Sequence, residues 1–204
     1  MITARTAVSA SLALFLLAGC GGGGGDTSTG AELPAGCTRV EAPAPKAVQL
    51  QPPTSGLSGP AEVTVETSCG RFTISLDVAG APKTTSSFAY LARRGAYDDT
   101  VFHRIVPGFV IQGGDPTGTG SGGPGYFVDE PPPRNISYTR GIVAMAKTAA
   151  EPPGRSGSQF FVVTVPDAGL TPDYALVGRV SSGLDVVRRI EQLGTPGGNP
   201  KARS

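Results

Sequence analysis

The sequence has no tryptophan, one histidine, two methionines and three cysteines among its 204 residues. The shortage of histidine excludes most chemistry that moves protons or holds metals. A triad or a zinc site would have to be built on His103 with serine or cysteine partners. No G-x-S-x-G is present, because Gly154-Arg155-Ser156-Gly157 misses the spacing. The cysteines show no metal-ligand spacing, so His103 reads as a residue that orients a neighbour or fills a polar slot. Neither sign of charge dominates: 17 basic residues face 16 acidic ones, for a net charge of +1. That balance offers no electrostatic case for nucleic acid. The apolar run Ala7 to Leu17 is too short to cross a bilayer and stops in glycine. No internal repeat is evident.

What is present centres on Phe102 to Tyr126, FHRIVPGFVIQGGDPTGTGSGGPGY. Its first half alternates with the period of a strand and is interrupted at Pro107-Gly108, which points to a bend or an edge. A bent strand pair would bring Arg104, Phe109 and Gln112 near one another. The second half is a glycine-dense loop that needs unusual backbone angles. Gly118 to Gly123 satisfies G-x-G-x-x-G, but Gly-Pro-Gly-Tyr follows and no helix can open there, so a dinucleotide site is excluded. No Gly-Lys-Ser/Thr closes a phosphate loop. An arginine beside aromatic residues and a glutamine remains, with no nucleophile and no acid/base pair.

Here the sequence resembles the cyclophilins, the peptidyl-prolyl cis-trans isomerases. The resemblance rests on the stretch above and on Gly157 to Thr164, GSQFFVVT. Gly141 to Ala146, GIVAMA, and Tyr174 to Val180, YALVGRV, support it in the family's order, over roughly Val63 to Leu193. It implies a mainly β fold: a closed antiparallel barrel, eight strands in the family, capped by two helices. It implies Arg104 as the catalytic residue, a donor to the prolyl carbonyl that approaches the prolyl nitrogen. Phe109, Phe161, Leu170 and Val110 map onto the proline pocket, with Phe160 pointing the other way into the core. Gln112 and Gln159 match positions that bond substrate backbone, and Ala146 and Lys147 match the extended peptide-binding edge. No cofactor and no metal is implied. The expected partners are proline-containing peptides and unfolded exported proteins, with the domain a monomer.

The chain divides into three parts on its sequence. Residues 1–19 read as an export signal, with Arg5 as a thin positive region and Leu17-Ala18-Gly19-Cys20 similar to a bacterial lipobox. That similarity implies lipidation of Cys20 and an extracytoplasmic domain anchored to the cell membrane; the alternative is an ordinary secretory signal with an incidental cysteine. Residues 20–60 form a glycine-rich tether and then a proline-rich arm, extended and wrapping on or near the domain. Residues 61–204 form the isomerase domain. Once Cys20 is lipidated, Cys37 and Cys69 are left as an even pair in a compartment that permits disulfides, and they read as a bridge; two free thiols are the alternative. Ala61–Cys69 and Arg71–Leu76 flank Gly70 as a hairpin. Lys83–Arg94 reads as a modest amphipathic helix, and Gly183–Leu193 as a stronger one with Leu184, Val187, Ile190 and Leu193 on one stripe.

Five departures from the family pattern stand out. Gly169 takes the place of a tryptophan that contacts cyclosporin in many members, so weak sensitivity to that drug is expected. Tyr174, at a further substrate-contact position of the family, replaces a frequent histidine, and Lys147 a frequent asparagine. The Lys147–Gly157 loop is a few residues longer than the common form. After the second helix no β-branched run supplies the last strand, which leaves three options: an open barrel, an arm that covers the gap, or a shortened sequence. Beside the isomerase stand two other readings: a tethered non-catalytic module that holds proline-containing segments, and a barrel that is purely structural.

Overall fold

A computed structural model of the chain describes residues 32–41 and 43–201. The expected export signal, Cys20 and the expected glycine tether lie outside the described residues. The chain opens with the hairpin expected at Gly70: β1 (Glu62–Thr67) pairs antiparallel with β2 (Gly70–Leu76). Helix α1 (Pro82–Arg93) follows, then β3 (Arg104–Val106) and β4 (Val110–Gly113), joined across Pro107-Gly108. After the glycine-rich loop come β5 (Val128–Asp129), β6 (Ile142–Met145), β7 (Arg155–Ser156) and β8 (Phe160–Val163). Strand β9 (Leu176–Ser182) and helix α2 (Leu184–Gln192) end the described elements.

Seven strands form one curled antiparallel sheet in the order β1-β2-β9-β6-β8-β4-β3, and β5 with β7 makes a separate two-stranded ribbon. The mainly β architecture with two helices is the one expected, but the sheet is a half-barrel rather than closed. Its edges are β1 and β3, and no strand follows α2 among the described residues. The reason is chemical: Gly194 to Lys201 carries Pro and Gly in place of a β-branched run. This segment covers part of the β3 edge instead, since Ile105 N–H donates to the Gly198 carbonyl at 2.8 Å.

Strand β8 explains why Phe160 to Val163 shows no polar alternation: all four residues are buried, because both faces of the sheet are covered. Phe160 and Val162 join the main core with Ile111, Val143 and Met145, under the helices. Phe161 and Val163 face a second cluster with Val110, Ala144 and Tyr138. Period two thus divides FFVV between two cores. Val187, Ile190 and Leu193 of the α2 stripe are buried as expected, with Val186 beside them and Leu184 at its margin.

Helix α1 buries Thr84, Thr85, Ser86 and Ser87 as well as Phe88 and Leu91. Three of these four hydroxyls are hydrogen-bonded, which is the condition for hiding them; that of Thr84 is buried without a partner among the described residues. Thr85 and Ser86 donate back to the Ala81 and Pro82 carbonyls at 2.7 and 2.6 Å, and Ser87 pairs with the Tyr126 hydroxyl at 2.9 Å. The carboxylate of Glu130 accepts from the N–H groups of Lys83 and Thr84 at 3.1 and 2.7 Å, supplying the cap that the helix's own residues do not.

The proline-rich arm runs over the domain without forming helix or strand. Leu33, Cys37, Val48, Leu50 and Leu57 pack against the main core. Cys37 is bridged to Cys69, in the β1–β2 turn, across a separation of 32 residues. Thr38 N–H donates to the Ser68 carbonyl at 2.9 Å beside that bridge. Further on, the Lys46 and Leu50 N–H groups donate to the Pro116 and Pro124 carbonyls at 2.9 and 2.8 Å, so the arm spans both ends of the glycine-rich loop. The chain-entropy account of a cross-link of this span predicts that reducing the bridge costs about 3–4 kcal/mol. Urea unfolding of the full chain, oxidised and reduced, measures it. A difference below about 1 kcal/mol would mean that packing and hydrogen bonds alone hold the arm.

Candidate active site

The β3–β4 hairpin sets Arg104 directly opposite Gln112 and Val106 opposite Val110. Strand β8 lies beside β4, with Gln112 opposite Phe161. The turn between β3 and β4 is pinned from helix α2. The Glu191 carboxylate accepts from Gly108 N–H at 2.8 Å and from the Thr164 hydroxyl at 2.6 Å, while Thr164 N–H donates to the Phe109 carbonyl at 3.0 Å. Phe109 is thereby held at the rim, with the Arg104 guanidinium 5.7 Å from its ring centre.

A cavity of about 250 Å³ opens at this point, lined by Arg104, Phe109, Val110, Gln112, Ala146, Lys147, Phe161, Leu170 and Tyr174. Nine of the ten positions singled out in the sequence for catalysis or substrate contact meet in it. The tenth, Gln159, stands one hydrogen bond behind, accepting from the Gln112 amide at 3.1 Å. The floor is apolar: Phe161 is buried, with Tyr174 edge-on at 5.4 Å. Lys147 reaches over the Tyr174 ring at 5.6 Å and donates to the Thr148 and Glu151 carbonyls, which closes its loop on itself.

Arg104 donates to the Gln112 carbonyl oxygen at 3.4 Å, a long and weak contact that leaves most of the guanidinium N–H groups free to face the cavity. Gln112 in turn donates to Gln159, and Gln159 donates to the carbonyls of Gly120 and Gly122, both at 2.9 Å. The chain of amides ends in the glycine-rich loop, which is organised by Asp115. Its carboxylate accepts from the N–H and hydroxyl of Thr117 at 2.7 and 2.9 Å, from Gly122 N–H at 3.2 Å and from Gly120 N–H. Gly114, just before it, sits at φ +80° with Ser158 and Phe160 so close that a Cβ would lie 2.7 Å from the Ser158 carbonyl.

Asp115 and Tyr138 escape notice in the sequence. Asp115 is fully buried, and its signal is Asp-Pro-Thr-Gly, an Asp that bonds the backbone two residues on. Burial pushes its carboxyl up, but the hydrogen bonds from Thr117, Gly122 and Gly120 outweigh that and hold it below the ordinary carboxylate range. Tyr138 donates to the Tyr174 carbonyl at 2.6 Å and accepts from Tyr174 N–H at 3.0 Å, which fixes that residue's backbone at the cavity wall. Desolvation pushes its hydroxyl up to about 12. No periodicity in Ile136-Ser137-Tyr138-Thr139 marks it. His103 lies half-buried behind the site, its ring facing Gly120, and burial lowers its pKa.

Asp115→Asn puts an N–H₂ group where the loop's own N–H groups need an acceptor. It should cost about 1.5–3 kcal/mol and speed amide exchange at Gly120 and Gly122. The depressed pKa gives this support a sign: it is present above the unfolded carboxyl value of about 3.9 and is lost as pH falls through the lower folded value. Amide exchange and urea unfolding, followed from neutral pH down to about 3, check both statements in wild type and variant.

The profile described as cyclophilin type peptidyl-prolyl cis-trans isomerase/CLD matches residues 62–203. Peptidyl-prolyl cis-trans isomerase-like 1 from Neurospora crassa is 45% identical over 138 residues, covering 66% of this chain and 83% of that protein. The Bos taurus protein of the same description is 45% identical over 141 residues, 67% of this chain and 82% of its own. Among solved structures, a cyclophilin type peptidyl-prolyl cis-trans isomerase from Cryptosporidium parvum superposes with a TM-score of 0.65 at 34% identity, over 71% of this chain and 93% of that one. A second structure of the Cryptosporidium protein, in the presence of the dipeptide Ala-Pro, gives 0.63 at 32% identity over 69% and 91%. With this match spanning nearly all of the sheet, both helices and the cavity, the chain belongs to the cyclophilin-type peptidyl-prolyl cis-trans isomerase family.

Proposed function

We propose that the 250 Å³ cavity takes the proline ring of an X-Pro segment and that Arg104 is the catalytic donor at its rim. The bond to be turned resists because resonance gives it partial double-bond character, a barrier of about 18–20 kcal/mol. No proton has to leave and no covalent intermediate has to form. Acceleration needs an apolar seat for the ring and a donor that favours the twisted amide over the planar one. Phe109, Val110, Phe161, Leu170 and Tyr174 provide the seat. The guanidinium provides several N–H groups and stays charged at any working pH. As the amide twists, the prolyl nitrogen regains its lone pair, and a cation at that point stabilises it. Gln112, Ala146 and Lys147 orient the flanking backbone, and Gln159 holds Gln112.

The observation that carries this reading is the convergence of a loosely held arginine with a cavity whose floor is apolar, on a network that offers no nucleophile. The Ala-Pro dipeptide used with the Cryptosporidium protein supports the same class of ligand here. The physiological setting is read from the amino terminus: a lipobox-like Leu17-Ala18-Gly19-Cys20 and a glycine tether favour a lipid-anchored isomerase outside the membrane, acting on exported proteins as they fold. The bridged Cys37–Cys69 pair agrees with an oxidising compartment.

Exchange NMR on an Ala-Pro peptide with the full chain tests the site. Arg104→Ala should lower the catalysed exchange about 10²–10³-fold with the fold intact, the scale seen when one charge-stabilising donor is removed. Catalysis should be level from about pH 6.5 to 8, because no cavity group needs to change charge there and burial holds the pKa of His103 below its ordinary value. Peptide binding without exchange from a folded wild type would favour the tethered binding module instead. Radiolabelled fatty acid appearing on the wild type and lost in Cys20→Ala tests the anchor.

A further inference from the structure

A groove of about 620 Å³ adjoins the proline cavity and shares Gln112, Ala146 and Lys147 with it. Its far wall is the glycine-rich loop. One lining residue, Gln49, comes from the proline-rich arm, ahead of the part of the chain that the family profile matches. The arm brings it there by definite contacts. Val48 and Leu50 on either side turn into the main core, and Leu50 N–H donates to the Pro124 carbonyl at 2.8 Å. The intervening Gln49 therefore points outward, and it is exposed. Its carbonyl oxygen lies against Gly125, which has φ +89° and room for no side chain, since a Cβ there would come 2.5 Å from that oxygen.

The groove has three side-chain amides with different commitments. Gln112 and Gln159 are bonded to each other, and Gln159 also to the loop carbonyls. Gln49 makes no hydrogen bond among the described residues. A side-chain amide carries the same donor and acceptor as a peptide unit, so an uncommitted one beside an open groove matches a peptide main chain. We propose that Gln49 is a specificity-determining residue that hydrogen-bonds the backbone of substrate residues flanking the X-Pro bond. The arm thereby extends the binding surface and gives the enzyme a preference for long, extended segments over dipeptide-sized ones. This rests on the Arg104 cavity being the prolyl site.

The test compares wild type and Gln49→Ala, as full chains, on a short Ala-Pro peptide and on one extended by several residues on both sides. Loss of one such hydrogen bond should lower kcat/KM for the extended peptide about three- to tenfold, through KM, leaving kcat, the short peptide and the melting temperature unchanged. Equal losses on both peptides, or no change on either, would overturn the assignment. NMR titration with the extended peptide separates the two levels of the argument. A wild type that binds but does not isomerise, with affinity weakened in Gln49→Ala, would remove the catalytic reading and keep Gln49's role. A wild type that isomerises and an unchanged variant would do the reverse.

Discussion

The arrangement of the site depends on a single buried carboxylate. Asp115 lies entirely out of solvent and is tolerable there only because its oxygens are filled by donors from Thr117, Gly120 and Gly122. Those bonds wind the glycine-rich segment into one shape. That shape presents two carbonyls to Gln159, which fixes Gln112, which steadies Arg104. A loop of glycines has the most conformational freedom to lose, so the charge at its centre replaces the packing that larger side chains would supply. The guanidinium at the end of the series stays loosely held, which suits a group that must follow a rotating bond.

A second layer of support comes from outside the sheet. Helix α2 reaches the hairpin through Glu191, the ribbon-side residue Glu130 caps α1, and the arm binds the glycine loop at both ends. Each joins distant parts of the sequence through a polar group and backbone, not through large apolar contacts. They position parts of the site whose main stability comes from the two cores on either side of β8.

Much of this was legible in the sequence, for reasons that differ by element. The hairpin at Gly70 and helix α2 follow from local periodicity and punctuation. The cavity residues are legible only through resemblance, because Arg104, Gln112 and Phe161 lie on three strands and no local pattern states that they meet. Helix α1 reads as only modestly amphipathic because hydroxyls make up about half of its buried face, and the pairing of Ser87 with Tyr126 is a tertiary fact. Nothing in the sequence singles out Asp115, because burial is not written in Asp-Pro-Thr-Gly. The closure of the sheet could not be decided from the C-terminal composition; the structure shows an open edge partly covered by Gly198. The role of the arm was legible only as extension near the domain, since the contacts of Lys46 and Leu50 are with proline carbonyls that carry no sequence signal.

The order of strands also has a consequence for how the molecule comes into being. Strand β2 pairs with β1 immediately but finds its other neighbour only at Leu176–Ser182, about half the chain later. Until that segment arrives, the hairpin presents an unpaired edge to its surroundings, and loop closure over so long a span makes the docking step slow. A protein of a family that hastens slow steps in the maturation of other chains therefore has a late, long-range step in its own.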